Sequence, residues 1–199
     1  MLSAYIVPSV KNKRSSVLRM ADSTPPVAEV PPSRCSRRTR TRCGTGVTLH
    51  LLDVDNLLGD PTTTDRSTIE WVFEHYRQVS GYRSGDHVVV ATGCNGMHVL
   101  EIELAWPGVN HLRKRGRDGA DQVLCAEAEW AAAQGGYDRV VIASGDRVFM
   151  LAYQLLHAAG FHVEVVANHR RLAPALAALA HGHLRYFGNP PASAIRAAA

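Results

Sequence analysis

Two aspartates of this 199-residue chain directly follow apolar segments that are typical of buried strands. The run VTLHLLD ends in Asp53, and the run RVVIASGD ends in Asp146. In open α/β sheets, ligands bind in the crevice beyond the carboxyl ends of the strands. We therefore expect both carboxylates at one edge of a parallel sheet. Asn56 is expected to turn back toward the same space, whereas Asp55 is expected to point elsewhere.

A second acidic pair, Asp118 and Asp121, stands at the start of a predicted helix. Their spacing puts both carboxylates on one side of that helix. Acids in a first turn can also serve only as caps for free N–H groups, and this alternative applies to Asp146 as well. Capping alone is favoured for Asp118, and a role in a site is favoured for Asp121.

Carboxylates that converge in one place repel each other unless a cation neutralises them. Asp53, Asp121 and Asp146 are therefore predicted to hold a divalent metal, and their hard oxygen ligands favour Mg²⁺ or Mn²⁺ over zinc. Metal-assisted hydrolysis of a phosphodiester fits such a site, because the metal positions and activates a water molecule. No serine or cysteine nucleophile is then required.

The elements that must position these acids alternate along the chain. We predict the order β-α-β-β-α-β-α-β-α, in which DHVVVATG, MHVLEIELAW and FHVEVVAN are all strands. The first long helix is predicted from Ile69, Val72, Phe73 and Tyr76, which fall on one face. Such alternation indicates an α/β fold of three layers, with a mainly parallel central sheet and helices on both faces.

Charge divides the chain into two parts. Residues 1–46 hold nine Lys or Arg against two acids, and the remainder holds thirteen against sixteen. Residues 1–46 show no helical or strand periodicity and are predicted to be a disordered basic arm, which either contacts a polyanion such as RNA or is simply a solvated tail. Residues 47–188 are predicted to form the folded domain, and residues 189–199 a flexible tail.

A short basic run precedes the second acidic pair and consists of Arg113, Lys114, Arg115 and Arg117. These side chains could grip substrate phosphates, and a plain solvated loop would have the same composition. Trp106 could stack on a base or pack in the core, and packing is favoured.

Cysteine usage and hydropathy bear on location. The four cysteines form no C-x-x-C pair, which indicates a reducing compartment and no disulfide scaffold. No apolar run reaches the length that spans a bilayer, so we expect no membrane partner and a cytoplasmic protein.

Three segments, LLDVDN, GADQVLCAEAEW and VVIASGDRVFMLAYQLLHAAGFHVEVV, resemble in order and spacing the NYN family of PIN-like metal-dependent ribonucleases, in its bacterial branch. The resemblance covers residues 47–188. It implies a three-layer PIN-like (Rossmann-like) fold, a Mg²⁺ or Mn²⁺ site and an RNA substrate.

The family motifs transfer to particular residues of this chain. Its Asp followed by Asn corresponds to Asp53 and Asn56, and its Gly-x-Asp to the segment ending in Asp121. Its Ser-Gly-Asp corresponds to Ser144 and Asp146 with the glycine between them. The resemblance implies catalytic and metal-binding roles for the aspartates, and contact with substrate for Asn56 and Ser144.

Two departures from the family pattern keep other functions open. Many members carry a further acid where this chain has Val148, and Asp118 stands where they carry Lys. Asp118 could replace the missing catalytic acid. Alternatively, the domain binds RNA without cleaving it, and a homodimer or a regulatory protein partner is also compatible with the sequence.

A phosphatase of the haloacid dehalogenase type is a further alternative. In that family a strand is followed by a nucleophilic Asp and a second Asp, which would be Asp53 and Asp55. Leu57, the lack of any Lys after Lys114, and Val148 all disagree with that pattern.

Overall fold

The structure is a computed structural model, and it describes residues 46–59, 65–93, 97–116 and 118–189. The predicted basic arm (1–46) and the predicted tail (189–199) lie outside these ranges except for Gly46 and Asn189. Arg117 of the basic run is also outside them.

The chain is an α/β protein built on a six-stranded sheet. The strands lie in the order β3-β2-β1-β4-β5-β6, and every neighbouring pair is parallel. The strands are β1 (Thr48–Asp53), β2 (His87–Thr92), β3 (Asn110–Arg113), β4 (Arg139–Ala143), β5 (His162–Asn168) and β6 (Leu184–Phe187). Because β1 is followed on one side by β2 and β3 and on the other by β4, β5 and β6, the order of winding reverses between β1 and β4.

Helices cover both faces of the sheet, as predicted. They are α1 (Val54–Leu58), α2 (Arg66–Ser80), α3 (Met97–Ala105), α4 (Gly119–Gln134), α5 (Phe149–Ala158) and α6 (Pro174–Leu179). Residues of α1, α2 and α3 pack in one core cluster with side chains such as Leu52 and Val90, and residues of α4, α5 and α6 pack in a second with Leu51 and Val89. Neighbouring residues of a strand thus serve opposite layers, and the fold is a three-layer, Rossmann-like one.

Helix α2 begins and ends at residues whose types favour helix ends. Asp65 caps its amino end by accepting a hydrogen bond from the amide of Thr68 (2.9 Å), and Gly81 ends it in the left-handed conformation. Ile69, Val72, Phe73 and Tyr76 are all buried, which confirms the predicted apolar face.

One predicted strand is wrong. The segment MHVLEIELAW was predicted to be a strand, but it forms helix α3, and the neighbouring strand β3 is instead the short segment NHLR. Alternation of Glu101 and Glu103 with apolar residues suggested a strand, yet the residues that are buried, Val99, Ile102 and Trp106, have helical spacing.

Trp106 is a packing residue, as favoured from the sequence. Trp106 is 5% exposed. Its ring meets those of Phe73 and Tyr82 edge to face and lies 4.4 Å from the guanidinium carbon of Arg77.

Among the residues that the structure describes, no helix is long and apolar enough to cross a membrane.

Candidate metal centre

A cleft of about 290 Å³ lies at the carboxyl ends of the strands, where the order of winding reverses. It is lined by residues that follow five different strands, β1 to β5. Its charged lining residues are Asp53, Asp55, Asp118, Asp121, Asp146 and Arg171. All four aspartates that the sequence analysis assigned to a site therefore reach one cleft, together with one aspartate and one arginine that it did not assign.

Asp53 is the most deeply placed of these acids, with 4% of its surface exposed. One carboxylate oxygen accepts a hydrogen bond from the amide of Asn56 (3.1 Å), and the other accepts one from the hydroxyl of Ser144 (2.8 Å). Burial raises the pKa of Asp53 to about 7, and the nearby charges of Asp121 and Asp55 act in the same direction. Its two hydrogen bonds only partly oppose this effect.

Asp121 lies in the first turn of α4 and is 8% exposed. Burial, followed by the charges of Asp146 and Asp118, raises its pKa to about 6, and interaction with the neighbouring carboxyl group of Asp53 only partly opposes this shift. Because both neighbouring carboxyl groups have raised pKa values, the pair tends to keep a proton near neutral pH. A bound cation would favour loss of that proton.

Asp118 is exposed, adopts a left-handed φ of 57° and makes no side-chain cap hydrogen bond to α4. The capping role that was favoured for Asp118 is therefore wrong. Helix α4 carries Asp121 and follows Asp118 directly, so one turn of chain brings both acids to the cleft, as their spacing predicted.

Asp146 is exposed at the mouth of the cleft, just after β4. Its carboxylate accepts a hydrogen bond from the amide of Val148 (3.1 Å), which caps the turn that leads into α5. Asp146 therefore both caps the turn before α5 and lines the cleft, so the two alternatives considered for it from the sequence hold together. Val148 is 42% exposed and does not line the cleft.

Ser144 and Asn56 support the residues of the cleft, and Asn56 also lines it. Ser144 is completely buried, and its hydroxyl group donates to Asp53 and accepts from the amide of Asp146 (3.2 Å). The side-chain oxygen of Asn56 accepts from the amide of Gly145 (3.0 Å), which joins the end of β1 to the end of β4. The geometry makes these two residues supports for Asp53.

Asp55 was expected to point away from the site, and this expectation is wrong. Helix α1 starts directly after β1, so the chain turns and carries Asp55 to the cleft. Its carboxylate accepts from the hydroxyl of Thr92 (2.6 Å) and from the amide of Gly93 (2.8 Å). It therefore ties the end of β1 to the end of β2.

Replacing Asp55 tests this tie. Asp55→Ala leaves the amide of Gly93 and the hydroxyl of Thr92 without their acceptor, so we expect the free energy of unfolding to fall by about 1 to 3 kcal/mol. Urea unfolding measures it, with the exposed Glu129→Gln as the matched control. Equal unfolding midpoints for the two variants would show that the tie adds no stability.

Two glycines of the family-like motifs are required by close approaches of the backbone. A Cβ atom on Gly119 would lie 1.9 Å from the carbonyl oxygen of Lys114, and one on Gly145 would lie 2.4 Å from the carbonyl oxygen of Arg171. Both contacts are with backbone, which cannot move aside easily. These glycines let the loops after β3 and β5 close against the cleft.

The basic run is only partly described. Arg113, Lys114 and Arg115 are exposed and none of them lines the cleft, although Gly116 does. Arg113 lies 4.0 Å from Glu103, a surface pair of little energetic weight. The described cation that does line the cleft is Arg171, in the loop between β5 and α6.

The donor set of the cleft fits a hard divalent cation, because it consists of carboxylate oxygens and two of the carboxyl groups have raised pKa values. Within the described ranges, no group of three or more His, Cys, Asp or Glu side chains is already arranged as a metal site. Asp53 and Asp121 instead form a buried pair of acids with raised pKa values. Binding of a cation would favour loss of protons from this pair.

The chain was compared with protein-family models, with curated proteins and with solved structures, and none of these comparisons gave a match.

Proposed function

We propose that this chain is a metal-dependent ribonuclease of the NYN type, which hydrolyses RNA phosphodiester bonds with Mg²⁺ or Mn²⁺ in the acidic cleft. The observation that carries the proposal is the meeting of five aspartates in one cleft at the switch point of a parallel sheet. Such a concentration of acids is unfavourable without a cation. The sequence resemblance to NYN ribonucleases supports the same conclusion from other features.

In this proposal Asp53, Asp121 and Asp146 hold the metal. When bound, the metal lowers the pKa of a water molecule and offsets negative charge on the phosphate. Ser144 and Asn56 keep Asp53 oriented through the hydrogen bonds already described. Asp118, which is exposed at the cleft, is placed to accept a proton from the attacking water.

The test is cleavage of labelled single-stranded RNA, hairpin RNA and single-stranded DNA by the purified protein, with Mn²⁺, Mg²⁺ or EDTA. We expect RNA cleavage that needs a metal and is lost in Asp53→Asn but not in Glu129→Gln. Glu129 is an exposed acid on α4 and does not line the cleft, so it controls for loss of charge alone. Cleavage that survives in EDTA would overturn the proposal.

A second candidate function is RNA binding without cleavage, and Val148 favours it. Its side chain stands where the resemblance implies an additional acid, and it is 42% exposed outside the cleft. RNA binding with no cleavage under any metal would support this alternative. Release of phosphate from a small phosphate ester would instead support the phosphatase.

A further inference from the structure

Arg171 has a fixed backbone beside the acidic cleft. The carbonyl oxygen of Asn168 accepts a hydrogen bond from its amide (2.9 Å), and the amide of Ala173 donates to the carbonyl oxygen of Gly145 (2.8 Å). The loop after β5 is therefore attached to the loop after β4, which carries Asp146. Because backbone hydrogen bonds hold the loop on both sides of Arg171, the backbone of this residue has a defined position.

The side chain of Arg171 lines the cleft and reaches helix α1. Its guanidinium group lies 3.5 Å from the carbonyl oxygen of Asn56 and directly over Gly59, where a Cβ atom would come within 1.9 Å of it. Gly59 thus leaves the space in which the guanidinium group rests. This position is at the end of α1, the helix that starts directly after Asp53.

Among the described residues, the guanidinium group of Arg171 forms no ion pair with an acid of the cleft, although five aspartates line it. By contrast, Arg139 and Arg185 are both paired with Glu164. An arginine that faces a cation-binding cleft without pairing with its acids is suited to an anion that enters the cleft.

We propose that Arg171, which lines the cleft beside Asn56 and Gly59, binds a non-bridging oxygen of the substrate phosphodiester. The planar fork of a guanidinium group matches phosphate oxygens with two parallel hydrogen bonds. If the aspartates hold a metal, a phosphate bound by Arg171 would be neutralised by both positive charges and held in position for attack. This inference rests on the proposed function and assigns one residue of its substrate site.

The test compares Arg171→Met, Arg171→Lys and Arg170→Met in the full-length protein. Arg170 is the neighbouring exposed arginine of the same loop and does not line the cleft, so it is a matched control for loss of one positive charge. Two quantities are measured for each variant: kcat/KM for RNA cleavage with Mg²⁺, and the Kd for Mn²⁺ without RNA.

Removal of the Arg171 charge should weaken RNA cleavage and tighten Mn²⁺ binding. We expect Arg171→Met to lower kcat/KM by about 100-fold, as for loss of a transition-state donor, and Arg171→Lys to recover part of that loss. Because Arg171 repels a cation in the cleft, its removal should tighten Mn²⁺ binding by about two-fold to five-fold. Arg170→Met should change both quantities much less.

The outcomes separate this inference from the proposed function. If the wild-type protein cleaves RNA and the two methionine variants have equal kcat/KM, Arg171 is not a phosphate-binding residue, although the ribonuclease proposal stands. If the wild-type protein neither binds nor cleaves RNA, the proposed function is overturned, and the role of Arg171 is overturned with it.

Discussion

Asp53→Asn is expected to abolish metal-dependent cleavage and, at the same time, to stabilise the metal-free protein. Cleavage should fall by more than about 100-fold. Loss of a group that only orients a metal ligand already lowers activity by about 10-fold to 100-fold, and loss of the ligand itself should lower it at least as much. The stability effect has the opposite sign because burial raises the pKa of Asp53 from 3.8 to about 7. Above that pH the folded state carries a buried negative charge that Asn lacks.

The pH dependence of the stabilisation follows from the same shift. As pH rises from about 4 to about 7, the unfolded state loses the Asp53 proton before the folded state does, so the wild-type free energy of unfolding falls. Asn removes this penalty. Its advantage should therefore be absent below about pH 4 and reach about 2 to 4 kcal/mol above about pH 7.

Urea unfolding of wild-type and Asp53→Asn protein in EDTA, at several pH values, measures this difference. Glu129→Gln is again the control, since Glu129 is exposed. An Asn variant that is less stable than the wild type at high pH would contradict the account, because it would mean that the carboxylate charge is already compensated in the metal-free protein.

Asp146→Asn is expected to lose cleavage as well, but with thermal stability nearly unchanged. Asp146 is exposed, and the oxygen that accepts from the amide of Val148 is also present in Asn. The variant therefore keeps its turn and loses only one negative charge of the cleft. We expect cleavage to fall by more than about 100-fold and the melting temperature to stay within about 2 °C.

Cleavage rates and thermal melts of Asp146→Asn and of Asp53→Asn distinguish the two acids, since only the buried one should alter stability. Full cleavage by Asp146→Asn would remove this residue from the metal site. A large fall in its melting temperature would instead show that the negative charge of Asp146, which the Asn variant lacks, stabilises the fold.

The fold was predictable where burial on both sides left long apolar segments. Strands β1, β2, β4 and β5 have this pattern, and so were found from the sequence. The edge strands β3 and β6 have four residues each and are mostly exposed or half-buried, so they carry no comparable apolar run. Helix α3 was mistaken for a strand because its two glutamates alternate with apolar residues.

The sequence predicts those site residues that are acids and that follow a predicted strand, because the ends of parallel strands meet at one edge of the sheet. Asp53 and Asp146 follow strands, and Asp121 starts a helix that enters from the same edge. Asp55 was misjudged because the immediate start of α1 could not be read from the sequence. Arg171 stands in a polar loop, and its only signal was that this loop follows β5.

Binding of a divalent cation in the aspartate cleft can be measured by calorimetric titration of wild-type and Asp53→Asn protein with Mn²⁺. We expect one Mn²⁺ to bind in the cleft of each chain. Because the pKa values of Asp53 and Asp121 are raised, this binding should release protons near neutral pH. Asp53→Asn should lose the binding. Absence of Mn²⁺ binding by the wild-type protein, or equal binding by the Asn variant, would show that the cleft is not a metal site.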